Sequence, residues 1–215
     1  MRIENWGLIR FADAWDRQRE LAERVYHGEQ DTLVFCEHPD VITLGRNTKT
    51  GSLLASRTML RDRNVDVIEI NRGGEATVHN PGQLVGYPVC NLQRSKPDLH
   101  WFLRTIEEAV IQALDEIGIA SGRVDGLTGV WIQDVRKICA IGIHCSRWIT
   151  THGFALNVNN DLSLFNDIIP CGIVNKGVTS VSREIGAPVP LTNLQDGIAE
   201  KLESLIKSTK LDVLH

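Results

Sequence analysis

Gly129-Val130-Trp131-Ile132-Gln133-Asp134-Val135-Arg136-Lys137-Ile138-Cys139-Ala140-Ile141-Gly142-Ile143-His144-Cys145 is the stretch that decides how this chain is organised. Two runs rich in Val and Ile, Gly129 to Ile132 and Lys137 to Cys145, flank the polar turn Gln133-Asp134-Val135-Arg136, the pattern of a β-hairpin. Side chains alternate between the two faces of a strand, so the second run sets Lys137 beside Cys139, Ile141, Ile143 and Cys145. An ammonium in such apolar company either reaches out at the strand end or stays inside with an altered proton affinity and a task. Lys137 opens its run, so a surface lysine next to a turn and a functional lysine both stand as readings.

Outward from the hairpin, further short β-type runs cover Thr32 to Cys36, Val41 to Leu44, Val65 to Ile70, Ala76 to His79, Leu84 to Val89 and Phe154 to Val158. Three helices are expected. The first covers residues 11–27, with Phe11, Trp15, Leu21, Ala22 and Val25 near one face. The second, residues 98–117, carries a stripe from Leu99 to Ile117 and stops at Gly118. The third begins at Thr192, whose hydroxyl is placed to cap while Gln195 reaches back. Clustered strands with few helices predict an α+β fold: one domain, a mixed, largely antiparallel β-sheet covered by helices.

The chain has 215 residues, 42% hydrophobic and 23% charged, enough for one sizeable core. A net charge of −4 favours neither nucleic acid nor an anionic membrane as partner. No apolar run has the length of a membrane span, and Met1-Arg2-Ile3-Glu4-Asn5-Trp6 lacks the apolar core of a secretory signal, so an intracellular protein is expected. Five cysteines without disulfide-like spacing fit a reducing compartment. There is no CxxC pair and no HExxH helix, so no metal site is expected.

Candidate chemistry sits in three places. Cys171 lies between Pro170 and Gly172 at the end of an apolar run; a lone cysteine is commonly core filler, but these flanks suit an exposed nucleophile. Lys137 is the candidate to stabilise its thiolate, provided that the chain from 137 to 171 folds back on itself. The segment from Arg72 to Gln83 carries Gly73, Gly74, Pro81 and Gly82 around a short strand, which reads either as a plain turn or as a ligand loop with bare backbone N–H groups. Arg72 and His79 at its ends are expected to serve a substrate, while His79 and His152 also read as core histidines with both nitrogens satisfied. No P-loop, GxGxxG or GxSxG pattern occurs.

In combination and order, Arg72-Gly73-Gly74-x-x-Thr77-x-His79-x-Pro81-Gly82-Gln83, Gly129-Val130-Trp131 with Lys137-Ile138-Cys139-Ala140-Ile141-Gly142, His152-Gly153-Phe154-Ala155-Leu156-Asn157 and Pro170-Cys171-Gly172 closely resemble the lipoyl/octanoyl transferases of protein lipoylation, within the superfamily of biotin and lipoate protein ligases. The resemblance runs from about Leu33 to Arg183. It implies one catalytic domain over residues 1–215 with the ligase-like fold. It further implies an octanoyl thioester on Cys171, taken from octanoyl-acyl carrier protein and then attacked by a lysine of a lipoyl domain. Such acceptors are the lipoyl domains of 2-oxoacid dehydrogenase complexes and the glycine cleavage H protein.

By the same resemblance, Lys137 corresponds to the family lysine that lowers the thiol pKa and moves protons. Arg72, Gly73, Gly74, Glu75, Ala76, Thr77, Val78 and His79, then Ala140, Ile141 and Gly142, then Gly153, Phe154 and Ala155, match the segments that hold the acyl substrate. No metal, nucleotide or other cofactor is implied, because the incoming thioester is already activated. Val78 stands where an aromatic residue is frequent and Asn80 where glycine is frequent, differences that bear on pocket shape and chain-length preference. A cytoplasmic location is implied, or an organellar matrix in a eukaryote. Two other readings are an ATP-dependent lipoate ligase of the same superfamily and a non-catalytic acyl-carrier or lipoyl-domain binding protein; Cys171 beside the Lys137 motif favours the transferase.

Overall fold

The hairpin of residues 129–145 forms, and it lies inside a larger sheet. A computed structural model of the chain describes residues 1–169 and 176–212, the last three without their side chains. Its strands are β1 (Arg2–Leu8), β2 (Thr32–Glu37), β3 (Val41–Leu44), β4 (Asp66–Glu69), β5 (Ala76–His79), β6 (Gln83–Val89), β7 (Gly122–Val124), β8 (Leu127–Ile132), β9 (Arg136–Ser146), β10 (Ile149–Asn157) and β11 (Gly177–Val178). The helices are α1 (Phe11–Tyr26), α2 (Arg57–Asp62), α3 (Leu99–Asp115), α4 (Val181–Ile185) and α5 (Leu191–Asp212).

The main sheet has the order β1-β2-β6-β10-β9-β8-β7, with β11 added in parallel to β9. A small second sheet runs β4-β3-β5. Among the described residues, parallel pairs are confined to β1 with β2, β3 with β4 and β9 with β11; the other pairs are antiparallel. The expected mixed, largely antiparallel sheet is therefore the fold.

Period-two alternation explains the layers. Along β2, Leu33 and Phe35 join the core under α3 and α5, while Val34 and Cys36 join Ala14, Leu21 and Val25 of α1 on the other face. Likewise Leu84, Phe154 and Leu156 face α3, and Val85, Tyr87 and Ala155 face α1. The three long helices thus cover both sides of one sheet, each contributing an apolar stripe at helical spacing.

Several boundaries differ from the sequence reading, for physical reasons. The last helix starts at Leu191, so Thr192 is inside its first turn, and the Gln195 side chain accepts from Asn5 Nδ2 (3.4 Å) in place of a capping box. β10 begins at Ile149 because Thr150 and Thr151 are buried with their strand, although their polarity hides it in the sequence. β1 has a half-exposed, weakly alternating pattern and earns its strand by parallel pairing to β2 at the sheet edge. In the hairpin turn Gln133 and Asp134 take positive φ (50° and 60°), conformations the sequence marks only by their polarity.

Candidate active site

Four small residues make a trough in the centre of the main sheet. Ala155 of β10 stands opposite Val85 of β6 and Ala140 of β9, and Gly153 stands opposite Gly142, so the row Val85–Ala155–Ala140 and the pair Gly153–Gly142 share one face. With two glycines and two alanines at its middle, this face leaves space that larger side chains would fill. The resulting cleft has a volume of about 240 Å³. Its wall comes from the loop ahead of β5: a Cβ on Gly142 would lie 2.7 Å from Gly73 O and 3.0 Å from Arg72 Cδ. Phe11 of α1 closes another side.

Lys137 lines this cleft with Ala140 and Gly142, and here the structure corrects the strand arithmetic. Regular alternation would set Lys137 on the core face with Cys139. The β8–β9 register instead passes from Val130↔Cys139 to Trp131↔Lys137, one residue on β8 against two on β9. This β-bulge sends both Ile138 and Cys139 into the core and turns Lys137 to the cleft. Its ammonium stands 4.7 Å from the centroid of the Trp131 ring, a cation–π contact. β11 pairs alongside: Val178 is opposite Lys137, and Thr179 N donates to Lys137 O (3.0 Å). The chain after residue 137 thus folds back onto Lys137. Cys171 lies outside the described residues, and the described chain on either side is anchored by Ile169 N to Ser52 O (2.8 Å) and Gly177 N to Val135 O (2.9 Å).

The polar groups of the cleft are tied to one another. Arg72 Nη2 donates to Thr43 O (2.9 Å) and Thr43 Oγ1 (3.0 Å), and Nη1 donates to Gly73 O (3.1 Å). His79 Nδ1 donates to Gln83 Oε1 (2.8 Å), and Gln83 Nε2 donates to Asn157 Oδ1 (2.9 Å). Thr43 Oγ1 lies 3.4 Å from His79 Nε2, so both ring nitrogens are engaged. The ring stacks on Phe11 at 5.6 Å. His152, at a positive φ of 59°, hydrogen-bonds Asn71 Oδ1 through Nε2 (2.8 Å), while its backbone N–H donates to Gln18 Oε1 (2.8 Å). Behind them His38 bridges Ile9 O (2.8 Å) and the Tyr87 hydroxyl (2.6 Å).

Burial makes all three imidazoles neutral at physiological pH. It lowers His38 to about 4 and His152 to about 3, in the latter with help from the Arg72 charge, and it holds His79 well below the ordinary histidine value. Burial also raises the thiol pKa of Cys36, Cys90, Cys139 and Cys145, which suppresses their thiolates.

The cleft therefore gathers most residues singled out from the sequence: Arg72, Gly74 to Thr77, His79, Lys137, Ala140 to Gly142 and Gly153 to Ala155. Two stand apart. Val78 is fully buried in the small core with Ile42 and Leu60, and Gly73 donates its N–H to Ile143 O (3.0 Å). Asn80 ties the 159–161 loop, donating to Asp161 O (2.7 Å) and accepting from Asn160 Nδ2 (2.9 Å). Arg72 and His79 border the cleft and also hold backbone and side chains together, so the choice between substrate and core does not separate them. The sequence reading did not single out Tyr87 or the Gly126–Thr128 segment as cleft residues; the alternation of β6 would have found Tyr87, one period from Val85.

The model of the lipoyl protein ligase A/B catalytic domain matches residues 10–203. This chain belongs to that family. It is 44% identical to an octanoyltransferase of Cytophaga hutchinsonii, over 95% of this chain and 92% of that one, and 46% identical to one of Rubrobacter xylanophilus, over 93% and 90%. Among solved structures it resembles lipoate-protein ligase A bound with ATP (TM-score 0.73, 16% identity, 96% of this chain and 85% of that one) and a biotin protein ligase from Aquifex aeolicus (TM-score 0.58, 15%, 98% and 70%). These last two share the fold of this chain. The chain is an enzyme, an acyltransferase. Among the described residues no helix is long and apolar enough to cross a membrane, and no group of three His, Cys, Asp or Glu side chains is set to hold a metal.

Proposed function

We propose that this enzyme moves an octanoyl group from octanoyl-acyl carrier protein to a lysine of a lipoyl domain through a thioester on Cys171. The observation that carries the reading is the bulge: it brings Lys137 into an apolar, glycine-floored trough, next to the strand by which the chain returns from Cys171. The Cys171 thiolate attacks the carrier thioester carbonyl; the new C–S bond forms, the carrier's C–S bond breaks, and the carrier leaves as a thiolate that takes its proton from the Lys137 ammonium. The acceptor lysine amine then attacks, an amide forms, and Cys171 leaves as thiolate. Lys137 stabilises the thiolate and, when neutral, takes the proton released by the incoming amine.

Residues Arg72 to His79, Ala140 to Gly142 and Gly153 to Ala155 frame the acyl chain on this reading, with Gly73 and Val78 supporting from behind. The neutral imidazoles suit an uncharged hydrocarbon, since they present no charge that binding would strip of water. The alternative, activation of free octanoate by ATP, is separable by assay. Transfer from octanoyl-acyl carrier protein to a lipoyl domain should proceed without ATP and survive chelation. Turnover only with free octanoate, ATP and magnesium would establish the ligase reading.

A further inference from the structure

Glu107 is a carboxylate of the core. It lies on the sheet-facing side of α3, its side chain fully buried. Its Oε2 accepts from Arg104 Nη1 (2.6 Å) and Arg123 Nε (3.0 Å), and its Oε1 accepts the backbone N–H of Gly129 (2.9 Å). Burying a charge in this way is costly, and an apolar side chain of similar volume would pack here without it. What distinguishes the position is the third bond, which ends on the strand that carries the lysine's seat.

Gly129 has φ +116°, and a Cβ there would stand 2.5 Å from Cys139 O and 3.4 Å from Lys137 Cε. The aliphatic stem of Lys137 therefore lies across Gly129, while its ammonium rests on Trp131, two residues along. The Glu107 carboxylate clamps the near end of that seat from the opposite face of the sheet. The bulge between Val130 and Trp131 makes this clamp consequential, because the β8–β9 ladder is irregular there and fixes the strand less firmly.

We propose that Glu107 is a positioning residue for Lys137, holding the Gly129–Trp131 seat through the Gly129 N–H. The inference rests on the reading of Lys137 and Cys171 given above. It is tested with Glu107→Asp and Glu107→Gln in the full chain. The first withdraws the carboxylate by about 1.5 Å, one C–C bond; in the second, a single carbonyl oxygen cannot serve Gly129 and two guanidinium groups together. Either variant, shown folded by its cooperative melt, suffices. The readout is peptide-resolved iodoacetamide labelling of Cys171 across pH, beside single-turnover acyl transfer.

The expected result is a rise in the pH midpoint of Cys171 labelling in the same direction as in Lys137→Ala, with transfer lowered about tenfold or more. Adding the Glu107 change to Lys137→Ala should move the midpoint no further. A midpoint that matches the wild type in the Glu107 variants, while Lys137→Ala shifts it, overturns the proposal and leaves the Cys-Lys reading standing. A midpoint unmoved in Lys137→Ala as well removes both, and the Lys137→Ala arm shows which failed first. A merely structural role for Glu107 would lower the melting temperature without moving the midpoint.

Discussion

His79 and Lys137 line the same cleft and are handled in opposite ways. His79 is buried, stacked on Phe11, bonded at both nitrogens and kept neutral by burial. Lys137 is half-buried and rests its ammonium on an indole, beside a strand that pairs with its backbone. On the proposed reading the fold keeps the imidazoles uncharged where an acyl chain lies and supplies a cation where a proton moves. The first is done by burial, which keeps the imidazoles neutral, the second by a bulge that turns one side chain.

The sharpest way to break this contrast is at Lys137. Lys137→Ala should lower transfer by roughly 10²–10⁴-fold, the range of a lost acid–base group, with little change in melting temperature. Lys137→Arg keeps a cation on Trp131 but cannot give up its proton, so Cys171 labelling should survive while transfer falls. Equal transfer by the Arg variant and the wild type would remove proton transfer from the role of Lys137. A smaller effect is expected in the trough itself. Ala140→Leu, which fills space opposite Ala155, should cut octanoyl transfer about 10–100-fold and shift preference to shorter acyl chains, read by competing acyl carriers. An unchanged chain-length profile would move the acyl chain elsewhere.

Two changes test the stability of the frame. Gly153→Ala would bring a Cβ to 2.1 Å from Gly86 O, a backbone contact that cannot turn aside. Overpacking of about 1–3 kcal/mol should lower the melting temperature by roughly 2–12 °C. The buried histidines make the last prediction. Their folded pKa values lie below the unfolded value of about 6.5, so the unfolded chain binds more protons as pH falls through that value. Stability should thus be complete above pH ~6.5 and decline from there toward the folded values of about 4 for His38 and about 3 for His152. Each contributes at most about 1.4 kcal/mol per pH unit. Urea midpoints at pH 7 and pH 5 check this; a flat profile would mean the imidazoles take up protons in the folded state.

Much of this was legible because the hairpin, the α3 stripe and the strand periods are local signals. The four small residues of the trough were visible as part of a resemblance, yet their juxtaposition depends on the β9–β10 register, which no local pattern encodes. Lys137 shows the limit most clearly. Strand alternation predicted its neighbours, and a one-residue bulge reversed its face because Ile138 and Cys139 both pack into the core. Val78 reads as a pocket residue from its motif but obeys alternation along β5 and faces the small core. Glu107 gave no sign, since a lone glutamate on an amphipathic helix is ordinarily a surface residue; only its bond to Gly129, across the sheet, marks it.

The central claim is that the acyl group passes through Cys171. Incubating the protein with octanoyl-acyl carrier protein, without ATP or acceptor, and mapping the trapped adduct by mass spectrometry tests it directly. The account predicts one octanoyl group on the peptide containing Cys171, released by hydroxylamine, discharged on adding a lipoyl domain, and absent in a folded Cys171→Ser variant. Transfer at near wild-type rate by Cys171→Ser, or an octanoyl group on one of the buried cysteines instead, would contradict it.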